Sequence, residues 1–117
     1  MRVLVYISGP LTNGDTLGLR HREANVRVAC SVQRDLFARG FAVICPHLMH
    51  YSQLMFPEMY ETYMANDMTL IEKSDVVFRF QGDSHGADRE CLHAIDKGIP
   101  VVRSFLELDV MFATEPV

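Results

Sequence analysis

Four short apolar segments recur along the chain, and longer amphipathic segments separate them. The apolar segments are residues 2–7 (RVLVYI), 41–45 (FAVIC), 75–80 (DVVFRF) and 99–102 (IPVV). The first is a continuous β-branched run bounded by a turn, and glycine, proline or polar residues flank the others. Such runs predict strands that are buried on both faces, as in a parallel sheet.

The amphipathic segments predict helices. Residues 17–38 form the longest one, and Gly40 follows it as a C-terminal stop. Its predicted apolar stripe comprises Leu17, Ala24, Val28, Val32 and Leu36. Pro57 is placed to open a second helix that runs to about residue 73, and residues 87–97 form a third that Gly98 closes. Residues 47–56 are expected to be a loop, and the tail from residue 104 a short helix with a frayed end.

Alternating strands and helices predict the fold class. We expect one α/β domain spanning residues 1–117, with a flavodoxin-like or Rossmann-like parallel sheet of four to five strands and helices on both faces. In such sheets, ligands bind beyond the carboxyl ends of the strands. The candidate site residues should therefore follow the first three strands.

Composition and charge exclude some classes of binding partner. A net charge of −4 argues against a nucleic-acid polymer as partner, because such proteins carry basic patches. No apolar run approaches the roughly 20 residues of a membrane span, so no membrane partner is expected. The short N-terminal apolar run does not form a signal peptide, and the three cysteines form no CxxC pair. These features predict a cytoplasmic protein with reduced thiols.

Asp67 interrupts an apolar helix stripe. On the second predicted helix, Tyr60, Met64, Met68 and Ile71 share one face, and Asp67 lies in the middle of it. A carboxylate directed into a core costs several kcal/mol unless it is paired or functional. Two interpretations therefore stay open: a satisfied structural acid, or a functional acid whose pKa burial raises.

The last predicted helix opens with a second set of candidates. Ser84 is a plausible N-cap, Gly86 follows it, and Glu90 lies near the start of the helix. Free backbone N–H groups at such a strand–loop–helix entry can bind phosphate. By position alone, however, Glu90 is better explained as an acid that complements the helix macrodipole.

The ends of the first two strands supply the remaining candidates. These are Tyr6, Ser8, Gly9 and Pro10 after the first strand and His47 after the second. Neither a GxGxxG fingerprint nor a P-loop occurs. The HxxH pair at residues 47 and 50 lacks the further convergent ligands of a zinc site. We therefore expect no metal and no cofactor.

These motifs, in their order and spacing, resemble the nucleoside 2-deoxyribosyltransferase superfamily, and in particular its small phage and bacterial relatives of unknown function. The resemblance runs from about residue 2 to residue 103. The motifs that carry it are Tyr6-Ile-Ser-Gly-Pro10, Arg22 with Asn25, Gly40-Phe-Ala-Val, Pro46-His47, Asn66-Asp67, Ser74-Asp75-Val-Val, Gly82-Asp-Ser-His-Gly-Ala-Asp-Arg-Glu90 and Gly98-Ile-Pro-Val.

The resemblance implies roles for the site residues. Glu90 would be the nucleophile at C1′ of the sugar, Asp67 would support the substrate and help protonate the departing base, and Tyr6 would orient Glu90. The pattern Ser-x-Gly-x-x-x-Glu at Ser84, Gly86 and Glu90 is similar to that of 2′-deoxynucleoside 5′-phosphate N-hydrolases. It implies that the phosphate contacts Ser84, the backbone of residues 8–9 and the following helix N-terminus.

Two features depart from the hydrolase pattern. Asp83 adds negative charge beside the expected phosphate, and residues 11–14 do not match the glycine-rich, arginine-bearing phosphate loop. Arg20 or Arg22 would then have to reach the phosphate.

The implied function is cleavage of the N-glycosidic bond of a nucleoside or nucleoside 5′-monophosphate. Hydrolysis and base transfer both remain open. The partner would be this small molecule, and the resemblance also implies a homodimer or higher homo-oligomer. Two alternatives compete: a module that binds a nucleotide or a nucleotide-derived signal without turnover, and a structural or oligomerisation protein whose acids are incidental.

Overall fold

A four-stranded parallel sheet forms the centre of the molecule. The computed structural model describes residues 2–11 and 19–113. Its strands are β1 (Leu4–Ser8), β2 (Ala42–Ile44), β3 (Val76–Arg79) and β4 (Val101–Val102), in the order β2-β1-β3-β4. All three neighbouring pairs are parallel, with Val5 opposite both Val43 and Val76. The predicted α/β class and its parallel sheet are confirmed, and the strand order reverses between β1 and β3.

Five α-helices accompany the sheet within the described residues. They are α1 (Leu19–Ala38), α2 (Met49–Met55), α3 (Tyr60–Glu72), α4 (His85–Asp96) and α5 (Phe105–Met111). The short helix predicted in the tail is confirmed as α5. The start predicted for the first helix, at residue 17, lies outside the described residues. No described helix is long and apolar enough to cross a membrane.

The loop predicted over residues 47–56 is wrong. A 3₁₀ turn (Pro46–Leu48) leads directly into α2. Pro57 does not open α3, which begins three residues later after an extended Met59. The Gln53 side chain joins both backbone groups of Glu58, through contacts of 3.1 and 2.8 Å, and so closes the α2–α3 connection. Helix α2 was missed because its sequence, MHYSQLM, has no clear apolar stripe.

The strands alternate between two apolar layers. One layer joins β1 and β3 to α1 and α5 through Val5, Ile7, Leu36, Phe78 and Leu108. The predicted stripe of α1 is wrong in part: its buried residues are Val26, Ala29, Val32 and Leu36, whereas Ala24 and Val28 are exposed. The reason is that α1 packs on the sheet through residues that follow Val26 at intervals of three or four positions. Val28 lies about half a turn away from this face and therefore points away from the sheet.

The other layer lies under α3 and α4. It contains Tyr6, Ile71, Val77, Cys91 and Ala94. Ile95 is 63% exposed, because its neighbour Ala94 takes the inward position. Both acid-bearing helices therefore pack on one face, beside the point where the strand order reverses, which is where ligands bind in such sheets.

Candidate active site

Strand β1 presents two hydroxyl groups to a buried carboxylate. Residues two apart in a strand share a face, so Tyr6 and Ser8 both point toward α3 and α4. The Tyr6 hydroxyl donates to Glu90 Oε2 at 2.6 Å, and the Ser8 hydroxyl donates to Glu90 Oε1 at 2.7 Å. Both donors are fully buried, and Glu90 is only 7% exposed. Each carboxylate oxygen of Glu90 is thus held by one hydroxyl group.

Glu90 lies deeper in its helix than the sequence suggested. Because the Ser84 oxygen accepts the Ala87 N–H at 3.1 Å, α4 begins at His85 and Glu90 is its sixth residue. The macrodipole acts mainly within the first turn of a helix. The simple explanation of Glu90 as a first-turn acid is therefore wrong, since the residue is buried in the second turn and bonded to another element.

Asp67 reaches the same cluster from α3. It is buried, as its place in the apolar stripe predicted. Burial raises its pKa to about 8, and the neighbouring Glu90 carboxylate acts in the same direction. At neutral pH the Asp67 carboxyl group is therefore mainly protonated. Burial, followed by the charges of Glu90 and Asp67, also raises the pKa of Tyr6 well above its ordinary value, so Tyr6 stays a neutral donor.

His47 closes the cluster on the side of β2. Its ring is 5% exposed, and Nε2 lies 3.1 Å from the carbonyl oxygen of Gly9. A carbonyl only accepts, so Nε2 carries the hydrogen and Nδ1 is the free acceptor. Burial lowers the pKa of His47 below its ordinary value, which keeps the ring neutral.

Two glycines allow the loops after β1 and β3 to interlock. A Cβ atom on Gly9 would lie 2.3 Å from the Phe80 ring, so only glycine fits beneath that ring. The loop after β3 makes the reciprocal contact, because a Cβ atom on Gly82 would lie 2.7 Å from the Pro10 ring. Gly82 also has a φ of +130°, which disfavours other residues. This packing fixes the two loops against each other at the edge of the site.

A cavity of about 440 Å³ opens beside these groups, within the range of small-molecule sites. Arg22, one of the two arginines expected to reach a phosphate, lines it, as do six of the nine candidate site residues: Gly9, His47, Asp67, Ser84, Gly86 and Glu90. The other three do not line it. Tyr6 and Ser8 lie behind Glu90, and Pro10 packs on Gly82. The predicted residues thus lie in two layers, one at the cavity wall and one behind it.

Several residues of the site were not among the candidates predicted from the sequence. The cavity is also lined by Met49, His50, Gln53, Tyr60 and Tyr63. Met49, His50 and Gln53 lie on α2, in the region that was predicted to be a loop, whereas Tyr60 and Tyr63 lie in the first turn of α3. Arg79 was missed too, although a charged residue inside a buried strand was a visible signal. Among the described residues, no group of three or more His, Cys, Asp or Glu side chains could hold a metal ion.

Comparisons with known proteins identify a family for this chain. A family model described as a domain of unknown function, DUF7768, matches residues 3–104. The solved structure of a 2-deoxyribosyltransferase from the psychrotolerant bacterium Bacillus psychrosaccharolyticus is 24% identical, covering 85% of this chain and 69% of that chain with a TM-score of 0.55. No curated protein matches. At this identity the solved structure shows a shared fold.

Proposed function

This chain belongs to the DUF7768 family, and we propose that it cleaves the N-glycosidic bond of a nucleoside or a nucleoside 5′-monophosphate. The observation that carries the proposal is the pair of buried carboxyl groups with different surroundings. Glu90 accepts two hydroxyl hydrogen bonds, whereas the pKa of Asp67 is raised to about 8. Two acids in such unlike environments suit the two roles of glycoside cleavage, a nucleophile and a proton donor.

In the proposed reaction, a Glu90 oxygen attacks C1′ of the sugar as the bond from C1′ to the base nitrogen breaks. The electron pair of that bond passes to the base, which receives the proton of Asp67. Tyr6 and Ser8 hold the two Glu90 oxygens in place during the attack. Each oxygen retains a lone pair after accepting one hydrogen bond, so these contacts do not block attack.

Breakdown of the glycosyl-enzyme requires an acceptor. Water gives hydrolysis: its oxygen bonds to C1′, Glu90 leaves as a carboxylate, and the released proton returns to Asp67. A second base in the same position gives transfer. The titration of Asp67 near neutral pH supports both directions of proton movement, because a group with a pKa near the working pH gives and takes protons readily.

The N-terminus of α4 supports a phosphate at the far end of the substrate. Ser84 and Gly86 line the cavity there. Although the Ser84 oxygen accepts the Ala87 N–H, its own hydroxyl hydrogen remains to donate. Free N–H groups and the positive end of the macrodipole favour an anion at such a position. We therefore propose the 5′-monophosphate as the better substrate.

The test is release of free base, measured by HPLC. The wild type, Glu90→Gln and the matched control Glu72→Gln would each be incubated with a panel of nucleosides and 5′-monophosphates, with and without a second base. Glu72 is an exposed acid that contacts His93, away from the cavity. Release by the wild type and by Glu72→Gln, but not by Glu90→Gln, is the expected result. The best substrate also decides the role of Ser84.

The binding module remains the second candidate. The Nδ1 atoms of His47 and His50, buried beside the cavity, have no hydrogen-bond partner among the described residues, and they favour a polar ligand whether or not it is turned over. Calorimetric binding of a nucleotide to both the wild type and Glu90→Gln, with no base released by either, would establish this candidate and contradict the proposed enzyme. The homo-oligomer implied by the resemblance stays a separate prediction, which sedimentation velocity would test.

A further inference from the structure

Arg79 is a cation buried behind the site. It is the last residue of β3 and is 4% exposed. Its register partner on β1 is Ser8, whose hydroxyl holds Glu90. Because Arg79 lies two residues after Val77, it points to the face of the sheet that α3 and α4 cover.

The guanidinium group of Arg79 binds the segment that connects β3 to α4. It donates to the carbonyl oxygen of Phe80 and, at 2.8 Å, to the carbonyl oxygen of Gly82. It also lies 3.4 Å from Asp88 in the first turn of α4. One side chain therefore contacts both the connection and the helix that carries Glu90.

Stability alone does not explain this arginine. The Asp88 partner is 65% exposed, and ion pairs with exposed partners contribute little. The Arg79 Nε atom has no hydrogen-bond partner among the described residues. A buried cation with an unused donor is costly, and an apolar residue of similar volume is often at least as stable in such a position.

The segment between β3 and α4, which Arg79 binds, determines where α4 begins. Ser84, two residues after Gly82, caps α4, and the rings of Phe80 and Pro10 lock the connection against the loop after β1. We propose that Arg79 is a positioning residue: it fixes the β3–α4 connection so that Glu90 meets the hydroxyl groups of β1 in reactive geometry. This inference rests on the proposed function for its effect on turnover.

The conservative variant Arg79→Lys tests the role. Lysine keeps the charge but lacks the planar fork that donates to two carbonyl groups at once. A displacement of about 1 Å at a reacting group can lower the rate on the order of 100-fold. We expect kcat to fall about 10- to 100-fold. The KM for an unphosphorylated nucleoside should change less than about threefold, because Arg79 does not itself line the cavity. The KM for a 5′-monophosphate should rise more, because Ser84 and Gly86 follow the segment that Arg79 holds.

Amide hydrogen exchange measures the positioning without relying on turnover. In Arg79→Lys we expect faster exchange at residues 80–87 and unchanged exchange elsewhere. The matched control is Arg39→Lys, which alters an exposed arginine paired with Asp109 on α5 and should leave both kcat and exchange at residues 80–87 unchanged.

Any one of the following results would overturn the inference. These are unchanged kcat in Arg79→Lys when the wild type is active, unchanged exchange at residues 80–87, and an increase in exchange spread evenly over the molecule. If the wild type releases no base from any substrate, the proposed function fails. The exchange pattern and the carboxyl carbon chemical shift of Glu90 then decide the positioning role separately, and an unchanged shift in Arg79→Lys would overturn it.

Discussion

Replacing Asp67 with asparagine should remove a dependence of stability on pH. In the folded protein the pKa of Asp67 is raised from its ordinary value of 3.8 to about 8, chiefly by burial. Between these values the folded state keeps a proton that the unfolded state has lost. Because the folded state binds more protons, the free energy of unfolding falls as pH rises through this window. Asparagine resembles the protonated carboxyl group in shape and cannot ionise.

The magnitude follows from the width of the window. One bound proton changes the free energy of unfolding by about 1.4 kcal/mol per pH unit. Over a window of about four units, the upper bound is on the order of 5 kcal/mol. A domain of this size typically has about 5–15 kcal/mol in total, so the effect would be a large part of its stability.

Urea unfolding of the wild type and Asp67→Asn at pH 4, 5, 6, 7 and 8 provides the assay. The two proteins should be similarly stable at pH 4, and the advantage of Asp67→Asn should grow toward pH 8. Comparison at each pH cancels the titration of groups that the substitution leaves unchanged. In Glu90→Gln the pKa of Asp67 should fall, because two of its raising causes come from Glu90, and NMR titration of the carboxyl carbon would measure it. Parallel stability curves for the wild type and Asp67→Asn would refute the reasoning.

Three further predictions concern the support of the site. Gly9→Ala should lower the free energy of unfolding by about 2–4 kcal/mol in thermal unfolding, because the new Cβ would lie 2.3 Å from the Phe80 ring; a loss below about 0.5 kcal/mol would contradict this packing. Ser84→Ala and Ser104→Ala each remove a helix cap and should each cost about 1 kcal/mol, but only Ser84→Ala should raise KM for a 5′-monophosphate; equal KM values would remove Ser84 from the site. Tyr6→Phe should cost about 1–3 kcal/mol in urea unfolding, because it leaves a buried carboxylate oxygen without its donor, and it should lower kcat more than it raises KM; undiminished turnover would argue against that contact in catalysis.

The chain's apolar runs were enough to predict the sheet. Residues 75–80 contain five consecutive buried positions, and such a run has few alternatives to a central strand. The segment from Met49 to Met55 failed for the opposite reason: its polar and apolar residues follow no period, and it becomes helical where the chain packs over the cavity. Local pattern predicts an element when burial is regular, and it fails where one side of the element faces a cavity.

The sequence by itself determined the fold class, the four strands, four of the five described helices, and the unusual position of Asp67 in an apolar stripe, because these depend on the spacing of neighbours along one element. Only the tertiary structure decided that Glu90, 84 positions from Tyr6, meets that hydroxyl at 2.6 Å. The raised pKa of Asp67 likewise depends on burial and on a charge that another helix supplies. The contacts of Arg79 with the segment before α4 could not be predicted from the sequence either, because the direction of a side chain and the dielectric around it are set by packing between elements.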